Sequence, residues 1–391
     1  MKTLHHSEKL NKHKIFLVNI ISLFMSFTGG LLIYTTSAYF KNIFNYANVG
    51  WLFLIANLLL LLALLNIHKI ARAIGQEILF QLLLITKISI FTALTLTSSN
   101  ISGAIFLTIF IVVEALSWVV LKMILENNAT DKETGQIYGF NLMLINIGLI
   151  LAPIIAAAVL STTGFTGIFY LSIFLNLCIF MIAFFILRQS PIQTLPSTQY
   201  SKLFTKLKTR PDIQKIYSIS FSLEFFFAIM VIYTPLYLLD NNFTWQQIGL
   251  LFSIMLIPLV LIPYPIGLLA DKKLNEKNLL FTAFIIIIFS SLFLYFSENL
   301  TMTILMIALF ISRIGASLIN ILRLSYFYKR IDRNDIGMIS IFYTARPLAF
   351  IIAPALAGIT LLFFPLNSIF ILLALVASLA LFPTIKLPKN I

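Results

Sequence analysis

A succession of apolar stretches, each about 20 residues long and divided from the next by a short polar break, constrains this chain more than any other feature. They fall at 15–40, 49–66, 78–97, 101–125, 136–161, 165–187, 215–239, 247–270, 278–297, 301–328, 336–363 and 365–385. A helix rises about 1.5 Å per residue, so each stretch is long enough to cross a hydrocarbon layer about 30 Å thick. In lipid a backbone must satisfy its own hydrogen bonds, and a helix does so within one segment. The composition leaves little room for a soluble alternative. Only 10% of the 391 residues are charged and 60% are hydrophobic, whereas soluble domains carry about 25% charged residues. The expectation is an all-α membrane protein with twelve transmembrane helices.

The basic residues order these helices across the bilayer. Lys2, Lys9, Lys12 and Lys14 precede the first span, and Lys69 and Arg72 follow the second. Lys122 and Lys132 follow the fourth, and Arg188, Lys202, Lys206, Lys208, Arg210 and Lys215 cluster between the sixth and seventh. Lys272, Lys273 and Lys277 follow the eighth, Lys329, Arg330 and Arg333 the tenth, and Lys386 and Lys389 the last. The alternate connections hold only Lys41. Cytoplasmic loops collect Lys and Arg, so both termini are expected in the cytoplasm, as an even number of spans requires. The basic tail runs into the first span with no small-residue cleavage site, so that span reads as retained. The expected location is the cell (cytoplasmic) membrane, multi-pass. A net charge of +13 would suggest a nucleic-acid partner in a soluble protein; loop charge accounts for it here, and no nucleic acid is expected.

Several chemistries drop out. The single cysteine, Cys178, excludes a disulfide framework and a cysteine-based metal site. The histidines, His5, His6, His13 and His68, have no metal-ligand spacing. No Gly-x-x-x-x-Gly-Lys-Ser/Thr loop is present to hold a nucleoside triphosphate. No metal and no cofactor is expected.

The longest polar stretch, Arg188 to Lys215, contains Pro191, Pro196 and Pro211. It divides the chain into an N-terminal six-helix bundle (1–190), a cytoplasmic linker (191–214) and a C-terminal six-helix bundle (215–391). A shift of 201 residues supports pseudo-symmetric halves. It lays Pro153 on Pro354, Ala152 on Ala353, Ala156 and Ala157 on Ala357 and Gly358, Asp131 and Lys132 on Asp332 and Arg333, and Lys122 on Arg323. Internal repeats of this kind mark secondary transporters, whose substrate site lies between the repeats near the midplane.

Two motifs carry a family resemblance. Gly267, Asp271, Lys272, Lys273 and Lys277, between spans eight and nine, resemble the Gly-x-x-x-Asp-Arg-x-Gly-Arg-Arg loop of the major facilitator superfamily, with Asn275 near the place of the second glycine. The corresponding loop after span two, His68 to Gly75, has no Asp. On span five, Gly139, Gly148, Ala152, Pro153, Ala156 and Ala157 are similar to the family's antiporter signature with three glycines replaced by alanine. Arg313 and Gly315 on span ten resemble, more weakly, an exporter motif of span four. The resemblance covers the whole helical length and is to prokaryotic drug and metabolite exporters. It implies two six-helix halves, with spans one, four, seven and ten lining a cavity. It also implies secondary active transport of a small molecule by alternating access, coupled to protons as an antiporter and leaning to efflux, by a monomer in the lipid bilayer. The motif residues Gly267, Asp271, Lys272, Gly139, Gly148, Pro153 and Pro354 would serve conformational change. Uptake of a small organic anion or nutrient is the alternative, and a polytopic membrane enzyme or lipid flippase the next; no enzyme activity is expected.

Five ionisable residues lie near the middle of apolar spans: Lys87, Glu114, Glu224, Arg313 and Arg346. A charge at the bilayer centre costs at least about 2.5–3.5 kcal/mol on insertion scales, so each should face the bundle interior, find a partner or serve a pathway. Glu114 and Glu224 are the candidates for carrying a proton. Lys87 either pairs with Glu114 as a structural ion pair or takes a functional part. Arg313, Ser317, Asn320 and Arg323 make one stripe on span ten at helical spacing; Tyr217, Ser220 and Glu224 make one on span seven, and Asn19, Ser22 and Ser26 on span one. Placed on the cavity helices the resemblance implies, these stripes make Arg313, Ser317, Asn320, Asn19, Ser26 and Ser220 candidates for contact with substrate, together with Trp118 on span four and Arg346 on span eleven at the cavity's flank.

Overall fold

The structure is a computed structural model that describes residues 12–97, 100–128, 134–186, 210–263, 265–266, 276–297, 301–331 and 336–388. Among the described residues every regular element is a helix. In chain order these are α1 (Lys12–Ile33), α2 (Thr35–Lys41), α3 (Tyr46–Ile74), α4 (Gln76–Leu96), α5 (Asn100–Asn128), α6 (Thr134–Ile186), α7 (Pro211–Ile232), α8 (Thr234–Asp240), α9 (Trp245–Leu261), α10 (Glu276–Phe296), α11 (Met302–Tyr328), α12 (Ile336–Tyr343), α13 (Ala345–Phe363) and α14 (Ser368–Ile385).

Fourteen elements serve twelve spans because some spans are broken and one element holds two. The first span breaks at Tyr34 between α1 and α2, after Gly29 and Gly30 have weakened the helix. The seventh breaks at Tyr233, where Pro235 withholds the N–H that the Val231 carbonyl would accept. The eleventh breaks at Thr344, because the Pro347 ring crowds the carbonyl four residues earlier, on Tyr343. Conversely, α6 contains spans five and six, and the chain turns between them at Gly164 (φ 66°, ψ −160°). That φ is open to glycine without a Cβ clash. The start of α9 is closed by a capping box: the Thr244 hydroxyl accepts from the Gln247 N–H, and the Gln247 carboxamide oxygen accepts from the Thr244 N–H at 2.9 Å.

The chain forms two compact units, one of residues 1–32 and 59–195, the other of 33–58 and 196–391. In the first, Val18, Ile21, Met25, Leu60, Ile67, Phe80, Leu84, Val120, Ile124, Ile179 and Ala183 make a continuous core from spans one, two, three, four and six. There α4 packs on α5 and on the second half of α6. In the second unit α10 packs on α11 and α14 in the same way. The third span of each sequence half thus lies against the fourth and sixth of its own half, so the repeat seen at a shift of 201 is also a repeat of packing.

The units depart from the sequence halves at one place. Residues 33–58, which a division at 190 assigns to the N-terminal bundle, belong to the second unit. There the Tyr34 ring stacks on Phe252 at 4.1 Å, and the Tyr46 hydroxyl donates to Asp240. Burial, reinforced by that acceptor, raises the Tyr46 hydroxyl above the ordinary phenol range. Gly50 lies against the Tyr233 hydroxyl and the Pro354 carbonyl. Large apolar side chains such as Phe174, Phe184, Phe185, Phe289, Leu379 and Phe382 are exposed. On a chain of this composition they are the lipid-facing surface.

Candidate functional site

Among the described residues, the charged side chains near the middle of the spans lie at one place in the first unit, the Lys87–Glu114 pair, and at three in the second: the Glu224–Arg323 pair, Arg313 and Arg346. In the first unit the Lys87 ammonium, wholly buried, lies 2.9 Å from Glu114 Oε2. The other carboxylate oxygen accepts the Trp118 indole N–H at 2.9 Å. Trp118 stands one turn beyond Glu114 on α5, the spacing that brings two side chains to one face. Gly29 of α1 closes the group: a Cβ there would come within 2.9 Å of Glu114 Oε1. Lys87, Glu114 and Trp118 are therefore one hydrogen-bonded cluster.

The polar stripe of α1 has another use. Asn141 of α6 donates to Asn19 Oδ1 (2.9 Å) and to the Ser22 hydroxyl (2.8 Å). Ser22 in turn donates to the Val18 carbonyl, and Ser26 to the Leu23 carbonyl. Asn19, Ser22, Ser26 and Asn141 are all buried. Gly148 lies directly against Ser26, and a Cβ on Gly30 would meet that of Ala152 at 2.6 Å. Asn19 and Ser26 thus join span one to span five, with small residues letting the backbones approach. Asn141 was not among the sequence candidates. It stands seven residues, about two turns, before Gly148 on the same face of α6, and that spacing was the available signal.

In the second unit Glu224 of α7 pairs with Arg323 of α11: the guanidinium donates to Glu224 Oε1 at 2.7 Å. Arg323 also donates to Asn320 Oδ1 (3.0 Å) and to the Ser220 carbonyl (3.3 Å). Sequence reasoning placed Arg323 in the stripe of span ten and at its inner end, and did not assign it as the partner of Glu224. Asn320 and Ser220 belong to this ion-pair group. Ser317 instead donates to the Pro258 carbonyl of α9 at 3.0 Å, holding span ten to span eight.

Arg313, ten residues before Arg323 on α11, is the largest wholly buried side chain among the described residues, 1% exposed. Its guanidinium carbon lies 5.3 Å from the centre of the Phe226 ring and 5.5 Å from that of Phe227, both on α7. Tyr34 is within electrostatic range. Its Nε and Nη2 have no hydrogen-bond partner among the described residues. Arg346 is different: it is exposed, with its guanidinium 5.6 Å from the Phe350 ring one turn along α13. It joins none of the clusters described above.

Of the motif residues, Gly139, Gly148 and Pro153 lie in α6, with Pro153 inside the helix. Pro354 lies inside α13, and its carbonyl accepts from the Tyr233 hydroxyl at 3.3 Å. Ala152, Ala156 and Ala157 are buried, as are Ala353, Ala357 and Gly358. Gly267, Asp271 and Lys272 lie outside the described residues, as does the linker up to residue 209.

Comparison with known proteins gives the fold its family. The sequence matches the Major Facilitator Superfamily over residues 15–337 and again over 240–389. No curated protein matches it significantly. Among solved structures, the nucleoside transporter NupG superposes with a TM-score of 0.76 at 16% identity, covering 97% of this chain and 100% of that one. A D-xylose-proton symporter gives 0.72 at 13% identity, over 96% of this chain and 97% of that one. A bacterial homolog of the human lysosomal transporter Spinster, inward-facing and occupied, gives 0.72 at 12% identity, over 97% and 95%. The repeated packing of the two sequence halves is the same finding seen from inside the molecule. The protein is a multi-pass membrane transporter that belongs to the Major Facilitator Superfamily.

Proposed function

We propose that the protein is a proton-coupled secondary active transporter that moves small molecules by alternating access, with efflux as its direction. The observation that carries the coupling is the Glu224–Arg323 pair. A carboxylate and a guanidinium, each with a side chain about nine-tenths buried, meet at 2.7 Å across two helices that the family resemblance assigns to the cavity wall. Protonating Glu224 removes the charge that holds Arg323, and a freed guanidinium is available to other acceptors. A buried ion pair gains little stability over neutral groups of the same size, so a role as a switch is a reason to keep one. Glu114 is the second candidate. It holds Lys87 and Trp118 together, and its proton would compete with a wholly buried ammonium.

Efflux follows from the small-residue and proline run of span five, which resembles an antiporter signature. Uptake of a small organic anion is the second reading, favoured by the positive charge left over at Arg313 when the paired residues are cancelled. We place the protein in the cell membrane as a monomer with both termini in the cytoplasm.

The test is flux in proteoliposomes under an imposed pH gradient, with labelled benzoate, uridine and xylose as representatives of an anion, a nucleoside and a sugar. Gradient-driven movement of at least one probe is expected. Glu224→Gln should abolish gradient-driven accumulation while leaving exchange at equilibrium. Accumulation that is indifferent to the gradient, or unchanged in both Glu224→Gln and Glu114→Gln, refutes proton coupling through these residues. The sign of the gradient that drives accumulation decides direction.

A further inference from the structure

Arg313 presents a chemical mismatch. An arginine stays charged in proteins and carries five N–H donors and no acceptor. Burying such a group is costly unless it is paired and hydrogen-bonded. The carboxylates described in the second unit are all engaged elsewhere. Asp212 holds Arg210, Glu224 holds Arg323, Asp240 accepts from Tyr46, and Glu276 accepts from Lys329 and Ser325. Arg313 has the faces of Phe226 and Phe227 instead. Rings stabilise a cation through their quadrupoles, but they accept none of its in-plane hydrogen bonds.

The two buried nitrogens without partners are Nε and Nη2. These are the pair along one side of the guanidinium, whose N–H bonds point in parallel and match the two oxygens of a carboxylate. Phe226 and Phe227 lie against the same guanidinium, and Tyr34, stacked on Phe252, adds further ring surface nearby.

We propose that Arg313 is the anchor for the charged end of the substrate, and that the substrate is an organic monoanion: a carboxylate on an apolar, preferably aromatic, body. One positive charge with no carboxylate partner among the described residues asks for one negative charge. The flanking rings favour a carboxylate with an apolar body over chloride or a strongly hydrated phosphate. The inference rests on reading the chain as a small-molecule transporter.

The experiment measures binding and flux separately. Purified full-length protein in detergent is melted with sodium benzoate, acetate, phosphate or chloride at equal ionic strength, and with benzamide, the uncharged counterpart of benzoate. Benzoate should raise the melting temperature most and acetate less, with no shift from benzamide. Arg313→Gln should weaken benzoate binding by at least about tenfold, the loss expected for hydrogen bonds to a charged group. Arg313→Lys, which keeps the charge and loses the fork, should fall between. In the absence of ligand, Arg313→Gln should melt no lower than the parent, because it removes a buried charge whose Nε and Nη2 have no acceptor among the described residues; a residue serving only to hold helices together would lower it. The comparison of benzoate with benzamide needs no variant, so it stands even if a substitution fails to fold. Equal shifts from benzoate and benzamide, no shift from either carboxylate, or a benzoate shift that survives Arg313→Gln overturns the proposal. Benzoate binding that depends on Arg313 with no flux of any probe in proteoliposomes would overturn the transport mechanism proposed above and leave the anion site standing. Flux of uridine or xylose unaffected by Arg313→Gln, with no carboxylate bound, would do the reverse.

Discussion

Removing the ammonium of Lys87 tests how the first unit holds its buried charge. Lys87→Met keeps most of the side-chain volume and leaves Glu114 as a carboxylate with the Trp118 N–H as its remaining partner. Removing one member of a buried ion pair costs about 3–5 kcal/mol, because the other is left uncompensated. The retained indole bond puts Lys87→Met near the lower end, about 3 kcal/mol. Glu114→Gln should cost more, about 5 kcal/mol, since it strands a wholly buried ammonium beside a neutral amide. The double variant carries no charge, and Gln can still accept from Trp118. Replacing a buried pair by neutral groups of similar volume is often neutral, so the double variant should lose no more than about 1 kcal/mol. Unfolding of the purified protein by sodium dodecyl sulfate in mixed micelles, followed by far-ultraviolet ellipticity, measures all four corners of the cycle. These losses imply a favourable coupling of about 7 kcal/mol, above the roughly 0.5–3 kcal/mol usual for contacting residues. Additive losses, or a double variant less stable than either single one, would refute the claim that Lys87 and Glu114 stabilise each other as an isolated pair.

Two further outcomes follow from the packing and the topology. Gly148→Val should lower the unfolding free energy by about 1–3 kcal/mol or more, the cost of overpacking, because its Cβ would lie 2.7 Å from the Leu23 carbonyl and 2.9 Å from the Phe27 nitrogen, backbone atoms that a side-chain rotation cannot move; the same micelle titration reads it. With Cys178 replaced by serine, a membrane-impermeant maleimide should label Lys41→Cys in intact cells and Lys386→Cys only after permeabilisation, and the opposite pattern would invert the orientation proposed from loop charge.

The helical spans were legible because the bilayer imposes a one-dimensional rule: about 20 apolar residues must follow one another, and that is visible in a string. The small-residue repeat, Ala152–Pro153 and Ala353–Pro354, was legible for a related reason, since close helix packing demands small side chains at fixed spacing. The clusters were less so. The distance from Lys87 to Glu114 joins residues 27 apart on two helices, and the Glu224–Arg323 pair joins residues 99 apart. Nothing in the spacing told whether Glu224 would meet Arg313 or Arg323, since both lie on one stripe of α11. The polar face of span one was equally ambiguous. Asn19 and Ser26 have the composition of a wet pathway, yet Asn141 and Gly148 turn them into a helix joint.

The sequence by itself therefore determined the solvent, the helical architecture and the inventory of intramembrane charge, because hydrophobic length and residue type are local properties. Only the tertiary structure decided which charges cancel. Lys87 with Glu114 and Arg323 with Glu224 pair through space, and the buried Nε and Nη2 of Arg313 meet no acceptor among the described residues. Pairing depends on which helix faces which, a property of side chains brought within about 3 Å by the fold.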